Sequence, residues 1–514
     1  MASRWSTAQP LVAAMLTGGL LTLSFPTLGH PAAAWVALVP LLVVLPQVRS
    51  VRLAFAVGLT VGIGQFGGTL PWLTDVMVEF GGLSRPLGMV LNAALVAYLA
   101  LFPALFVVLL VLLYRRFGQV AMLWAAPVWV STELARLWLF GGFPWELLGY
   151  SQTGVLPVSQ LASLVGVHGV TALVVFMNSA LGLAFVASHS CRVRVLGAAA
   201  VLMMAVVTFG SWRLSESRLL VAGTPLQVGL VQGNIPQDEK WDRARRQAIL
   251  GRYLDLSREA AADGAELIVW PESATPFGFE VHPRGEAVRQ LARDTGAHLL
   301  FGSTQTQRHP TPQIFNAAFM LRPDGGTAAV YHKMHLVPFG EYVPFKSLLF
   351  FAAPIVESLS DFSPGTAART LPIGPHLTST AICYEIIYPG LVRRFVRGGS
   401  ELLTTITNDA WYGRSAAPHQ HFQQARMRAI EQGRFLVRAA NTGVSGVVDP
   451  YGRVLARSAL FETVAMTEPV RLLTGLTLYG RIGDVTAYLC LLVTVVGLVV
   501  AWRGRVVGVE APRR

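Results

Sequence analysis

Eight apolar runs, each long enough to cross a bilayer, constrain this chain more than any other feature. Seven come first, at 10–26, 32–48, 53–73, 87–114, 121–140, 161–188 and 193–212, and one more lies at 484–502. A helix needs about 20 mostly apolar residues to span the hydrocarbon core. Hydrophobic residues make up 53% of the 514 and charged ones only 14%, and the mean hydropathy is +0.50. A wholly soluble enzyme is excluded by that balance. The net charge of +12 could suggest nucleic acid, but the chain has no Lys/Arg block or basic–aromatic stripe. No nucleic-acid partner is expected.

The arginines instead report topology. Arg4 precedes the first run, Arg49 and Arg52 follow the second, Arg115 and Arg116 the fourth, and Arg192 and Arg194 the sixth. Arg503, Arg505, Arg513 and Arg514 follow the last. With eight spans all five groups fall on one side, which the positive-inside rule makes the cytoplasm. The expected organisation is a seven-span bundle over 1–215, an extracytoplasmic domain over 222–470 and a final membrane helix over 484–502, with both termini cytoplasmic. The first apolar run could mimic a cleaved signal peptide. Its length favours a retained anchor. After the fifth run, Glu133 and Arg136 share a helix face ahead of Phe143-Pro144-Trp145-Glu146. This reads as an interfacial aromatic belt with a snorkelling arginine, or as a wall that helps receive a lipid.

The segment between the last two runs has soluble character and alternates strands with helices. Strands are expected at 226–235, 266–270, 298–303, 315–321, 377–383 and 401–407. Helices are expected at 239–263, 286–295, 388–396 and 419–440. This is an α/β pattern with polar residues at strand ends, where chemistry usually sits.

Three of those polar positions suggest acyl transfer through a thiol. Of three cysteines, Cys191 lies beside arginines and Cys490 inside an apolar run; Cys383 alone ends a strand, Ser379-Thr380-Ala381-Ile382, and is followed by Tyr384-Glu385. A thiol at such a place is either a small buried hydrophobe or a nucleophile, and a nucleophile needs a base or a cation beside it. Glu272 ends the strand Leu267-Ile268-Val269-Trp270. There, partial burial would raise its pKa toward that of a general base, unless it is only a turn acid. Lys333, in Tyr331-His332-Lys333-Met334-His335, could hold an oxyanion, or be a solvated loop lysine.

Taken in order, Trp270-Pro271-Glu272-Ser273, His332-Lys333 with Leu336-Val337-Pro338-Phe339-Gly340-Glu341-Tyr342, and Cys383-Tyr384-Glu385 resemble the nitrilase superfamily. The flanking stretches resemble one branch of it, the apolipoprotein N-acyltransferases. These are Gly142-Phe143-Pro144-Trp145, Gln232-Gly233-Asn234-Ile235, Asn408-Asp409-Ala410-Trp411-Tyr412-Gly413 and Thr477-Leu478-Tyr479-Gly480-Arg481. The resemblance implies a membrane α-helical bundle of about eight transmembrane helices with a four-layer α-β-β-α sandwich. It implies Glu272 as base, Cys383 as nucleophile, and Lys333 with the backbone N–H of Tyr384 as oxyanion donors. Trp241, Glu341, Tyr384 and Glu385 would support the site. The implied partners are a phospholipid acyl donor and a diacylglyceryl-cysteine lipoprotein acceptor at the bacterial inner membrane, with no cofactor and a monomeric enzyme. A membrane-anchored amidase would use the same three residues, and a degenerate scaffold would lack one of them.

His332 with His335, and His419 with His421, lack the companion ligands of a metal site, and no metal is expected. The stretch 345–362 contains Lys346-Ser347-Leu348-Leu349-Phe350-Phe351 and is too short to span but unusually apolar for a loop. It is expected to be either a lid that dips into the bilayer or a satellite core. Replacing Leu349, Phe350 and Phe351 by serine should impair lipid use while circular dichroism stays unchanged; an unfolded product would favour the satellite core.

Overall fold

The computed structural model describes residues 2–27, 29–308, 312–338, 340–342 and 362–503. The apolar stretch considered above as a lid lies almost wholly outside them. The chain divides into two compact units, one of residues 1–78, 83–215 and 482–514, the other of 79–82 and 216–481.

The first unit is helical. Its main helices are α1 (Ala2–Thr22), α2 (Val51–Thr69), α3 (Arg85–Phe117), α4 (Ala125–Trp138), α5 (Ala162–Val186) and α6 (His189–Glu216), with Val485–Arg503 returning to it. Five helical stretches among the described residues are long and apolar enough to cross a membrane: Val51–Thr69, Arg85–Gly141, Ala162–Val186, His189–Leu220 and Val485–Arg503. The run expected as a span at 32–48 is instead broken into Pro31–Ala34, Val39–Val44 and a 3-10 turn at Leu45–Gln47. Pro31, Pro40 and Pro46 account for the breaks, since each removes a backbone donor and fixes φ.

Helix contact here rests on small residues, because lipid offers no hydrophobic drive for helices to associate. Gly58 and Gly62, one turn apart on α2, face Ala104 and Ala100 on α3. A Cβ added at Gly58 would lie 2.6 Å from Ala104 Cα, and one at Gly62 2.5 Å from Ala100 Cα. The expectation of a snorkelling Arg136 is overturned. Arg136 is buried and donates to the Trp145 carbonyl at 2.8 Å, while Glu133 accepts from Leu148 N–H at 2.8 Å and from Thr171 Oγ1 at 3.0 Å. Both side chains are spent pinning the Gly142–Tyr150 loop, whose backbone groups would otherwise be buried unpaired.

The second unit contains two six-stranded sheets, ordered β12-β1-β2-β3-β4-β5 and β11-β10-β9-β8-β7-β6. The first is built from β1 (Thr224–Gln232), β2 (Leu267–Val269), β3 (His298–Gln307), β4 (Gln313–Leu321), β5 (Thr327–His332) and β12 (Val464–Leu472). The second uses β6 (Leu371–Ile373), β7 (His376–Ile382), β8 (Leu402–Thr407), β9 (Leu436–Ala440), β10 (Gly446–Val448) and β11 (Val454–Arg457). In each sheet three central strands are parallel, β1-β2-β3 and β7-β8-β9, and the outer ones antiparallel. The sheets face each other, β1 against β9 and β4 against β7. Helices α7 (Arg246–Ala262) and α8 (Gly285–Thr295) cover the first sheet, and α9 (Pro389–Arg397) and α10 (Ala417–Gln432) the second, giving four layers. Trp270 anchors the first interface, fully buried against Tyr253 and Phe301, with its indole N–H on Ser257 Oγ at 2.7 Å.

The expected helix over 419–440 is corrected. It ends at Gln432, Gly433 caps it with φ of +61°, and Leu436–Ala440 is a buried strand parallel to β8. A left-handed cap is where glycine ends helices. The helix expected from 239 begins only at Arg246, and β5, β6, β10, β11 and β12 were not foreseen. Most of these are short or half-exposed, with little period-two pattern to read.

Parallel strands in open sheets place their carboxyl ends at the usual ligand crevice. Here β1, β2, β7, β8 and β9 lead into Asn234, Glu272, Cys383, Asn408 and Asn441. Gly302 on β3 packs against the turn carrying Glu272; a Cβ there would sit 2.5 Å from Ser273 N and 2.6 Å from Glu272 Cα. Gly302→Ala should therefore destabilise by about 1–3 kcal/mol through overpacking, read as a lower unfolding midpoint in detergent; an unchanged midpoint would show that the turn yields freely.

Candidate active site

Each site residue stands where a strand has just ended. Cys383 follows β7 directly, at the head of a 3-10 turn, Cys383–Ile387, with φ of +52°. A non-glycine residue in that left-handed region stores roughly 1–3 kcal/mol of strain, and the surroundings must hold it. They do so through Glu385. One carboxylate oxygen of Glu385 accepts from Ile382 N–H at 2.8 Å, just before the turn. The other accepts from Tyr331 OH at 2.7 Å, Met334 N–H at 2.6 Å and His335 N–H at 3.2 Å. Glu385 thereby joins the Cys383 turn to the segment carrying Lys333. Burial pushes its carboxyl up to about 7, against the pull of those donors and of Lys333.

Lys333, only 1% exposed, is the centre of charge. Its Nζ donates to Glu272 Oε1 at 3.1 Å and to Glu341 Oε1 at 2.9 Å. Burial alone would lower its pKa, but the Glu272 and Glu341 carboxylates outweigh burial and hold the ammonium charged. Asn316 on β4 donates through one Nδ2 to Glu272 Oε1 at 2.7 Å and Glu341 Oε1 at 2.8 Å. The second oxygen of each carboxylate is also met, by Asn408 N–H on Glu272 at 3.0 Å and Val337 N–H on Glu341 at 2.8 Å.

The expectation that burial raises the Glu272 pKa is corrected. Burial does push upward, but Lys333, the Asn316 amide and Lys240 together hold Glu272 below its usual value. The Cys383 thiol moves the other way. Burial first, then the Glu272 carboxylate, push it well up, with Lys333 opposing. The resting arrangement is therefore a neutral thiol beside an ionised carboxylate, the protonation states that a nucleophile and its general base require.

Glu272, Lys333, Glu341, Cys383, Tyr384 and Glu385 are all buried in this unit. Trp241 is not gathered with them and stays 47% exposed. Sequence reading missed Asn316, Asn408 and Lys240. Asn316, a lone amide in Phe315-Asn316-Ala317-Ala318-Phe319, was the readable signal. It also missed a buried chain behind the nucleophile, in which Arg438 pairs with Asp409 at 2.5 Å, Asp409 meets His421 at 3.2 Å, and His421 Nε2 lies 3.1 Å from the Cys383 carbonyl. The other histidines of the two pairs are engaged elsewhere, His332 on Phe315 and Gln305, His335 on Tyr388 and His419 on Arg457.

Comparison with known proteins places these residues in context. A family profile described as carbon-nitrogen hydrolase matches residues 227–471. Another, described as apolipoprotein N-acyltransferase N-terminal domain, matches 17–180. The chain is 38% identical over 501 residues to an apolipoprotein N-acyltransferase of Geobacter metallireducens, covering 95% of each. It is 36% identical to the one from Methylococcus capsulatus, over 95% of this chain and 96% of the other. It is 35% identical to the one from Shewanella oneidensis, over 92% of both. Among solved structures, a nitrilase-superfamily amidase from Nesterenkonia AN1 aligns with a TM-score of 0.39 at 21% identity, over 52% of this chain and 98% of that one.

The charges of this cluster predict an unusual pH response. The Glu272 carboxylate raises the Cys383 thiol, so Glu272→Gln should move the pH profile of Cys383 alkylation by iodoacetamide to lower pH. An unmoved or alkaline-shifted profile would contradict this electrostatic ordering.

Proposed function

The chain belongs to the apolipoprotein N-acyltransferase family, and on that premise we propose how its buried cluster performs the transfer. The enzyme is an N-acyltransferase of lipoprotein maturation. Its acyl donor is a membrane phospholipid and its acceptor a lipoprotein with a free amino-terminal diacylglyceryl-cysteine. The observation that carries the reading is the Lys333 ammonium shared by Glu272 and Glu341 in a chain whose likeness to N-acyltransferases extends through the helical unit.

In the first half-reaction Glu272 accepts the Cys383 thiol proton while sulfur attacks the ester carbonyl. Charge develops on the carbonyl oxygen, and Lys333 with the Tyr384 backbone N–H stabilises it. Fixed donors in a dry site are worth more than in water and need no reorganisation. The tetrahedral adduct collapses to a thioester, and Glu272 returns the proton to the departing lysophospholipid oxygen. In the second half-reaction the neutral α-amine attacks the thioester. Glu272 takes the amine's proton, the C–S bond breaks as the amide forms, and Glu272 hands that proton to the departing Cys383 thiolate. Two displacements through a covalent intermediate need no ATP, because the thioester keeps the acyl group reactive toward an amine. Glu341 orients Lys333, and Glu385 holds the Cys383 turn and the Lys333 segment in register.

The protein lies in the inner membrane. The spans are seven before residue 222 and one after 470, counting the broken 31–47 stretch, with the α/β unit outside and both termini in the cytoplasm. Dispersed loop arginines support this orientation.

The test is intact mass spectrometry of the purified protein after incubation with a phospholipid. An added acyl mass, removed by hydroxylamine and absent from Cys383→Ala, is expected. A diacylglyceryl-cysteine peptide should then discharge it as N-acyl peptide. Release of free fatty acid alone would favour an amidase-like hydrolase, and no adduct on any lipid would overturn the assignment of Cys383.

A further inference from the structure

Lys240 sits in Gln237-Asp238-Glu239-Lys240-Trp241-Asp242, where the sequence pattern starts a helix over 239–263. The structure does otherwise. Lys240 is only 2% exposed, while its neighbour Trp241 faces outward. Its Nζ donates to the backbone carbonyl of Glu272 at 3.1 Å. A lysine so deeply buried is costly unless its charge is used, and a neutral carbonyl is a modest return.

The charge balance around Glu272 supplies the use. Glu272 and Glu341 already share one ammonium, that of Lys333. The nearby Asp409 carboxylate is matched by Arg438, and Glu385 is occupied by Tyr331 and three backbone N–H groups. With Lys333 alone, two carboxylates face one cation and the cluster keeps a net negative charge. Lys240 restores neutrality.

We infer that Lys240 is a positioning residue for acyl transfer: its ammonium fixes the backbone at Glu272 and supplies a second positive charge that steadies the negative charge as it passes from the Glu272 carboxylate to the Cys383 sulfur. The electrostatics agree. Burial brings the Lys240 ammonium down to about 8 against the upward pull of Glu272 and Cys383. The groups acting most strongly on Cys383 are Glu272, Lys333 and Asp409, with the Thr407 hydroxyl, and Cys383 in turn acts on Lys240 and Tyr412. The inference rests on Cys383 being the acylated nucleophile.

The experiment measures the pH profile of Cys383 alkylation by iodoacetamide in the full-length protein in detergent, for the parent and for Lys240→Met, Lys240→Gln and Lys240→Arg. Glutamine keeps a donor for the Glu272 carbonyl but no charge, whereas arginine keeps the charge. Methionine and glutamine should each move the profile to higher pH by roughly one unit or more, and arginine should recover most of that shift. If methionine prevents folding, glutamine alone carries the test. Profiles for glutamine and parent that superimpose would overturn the inference, as would arginine shifting as far as glutamine. Alkylation needs no lipid, so it reads the role of Lys240 independently. A parent that alkylates normally yet forms no acyl adduct with phospholipid would instead refute the proposed transfer.

Discussion

A lysine ammonium sealed between two carboxylates organises this protein's α/β unit. Lys333 has almost no contact with solvent, so its charge is tolerated only while Glu272 and Glu341 stay ionised and aimed at it. Removing either partner from a buried pair typically costs several kcal/mol, and everything that aims those carboxylates inherits the constraint. Asn316 on β4 donates to the same oxygens as Lys333, while the Asn408 N–H after β8 and the Val337 N–H satisfy the oxygens that Lys333 does not reach. The two sheets are therefore joined by the charges of the site itself as well as by apolar packing.

That arrangement also sets the chemistry. A lone buried glutamate would be protonated and of little use as a base. Three donors keep Glu272 ionised, at the expense of basicity, and its negative charge in turn holds the neighbouring thiol protonated. In the proposed mechanism proton removal and sulfur attack are then coupled, and the resting thiol stays protonated. The left-handed backbone at Cys383 belongs to the same design. Glu385 bridges the residue before it to the segment after Lys333, which ties Cys383 and Lys333 to one carboxylate.

Two positions show how the same residue types read differently in sequence and in space. Glu133 and Arg136, at a helical spacing on a span, suggested an interfacial pair with a snorkelling arginine. Folding turns both inward, because the Gly142–Tyr150 loop presents buried backbone groups that need them. Lys240, placed by the sequence pattern in a helix over 239–263, lies ahead of the observed helix and is buried under Glu272. A charged side chain's surroundings are made by chain segments remote in sequence, and local pattern carries no record of them. The short outer strands were missed for a related reason, being held by pairing with neighbours rather than by their own periodicity.

The sequence by itself determined the division into apolar helices and an α/β insert, because hydrophobic length and period are local properties that water and lipid read residue by residue. It also marked Glu272, Lys333 and Cys383, since each stands in a distinctive short context at or near a strand end. Only the tertiary structure decided that Lys333 is shared by Glu272 and Glu341, that Glu272 stays ionised despite burial, and that Glu385 acts as a brace. Those outcomes depend on distances of about 3 Å, several of them between residues far apart in the chain, such as Glu272 and Lys333 or Tyr331 and Glu385, and such distances exist only once the chain has folded.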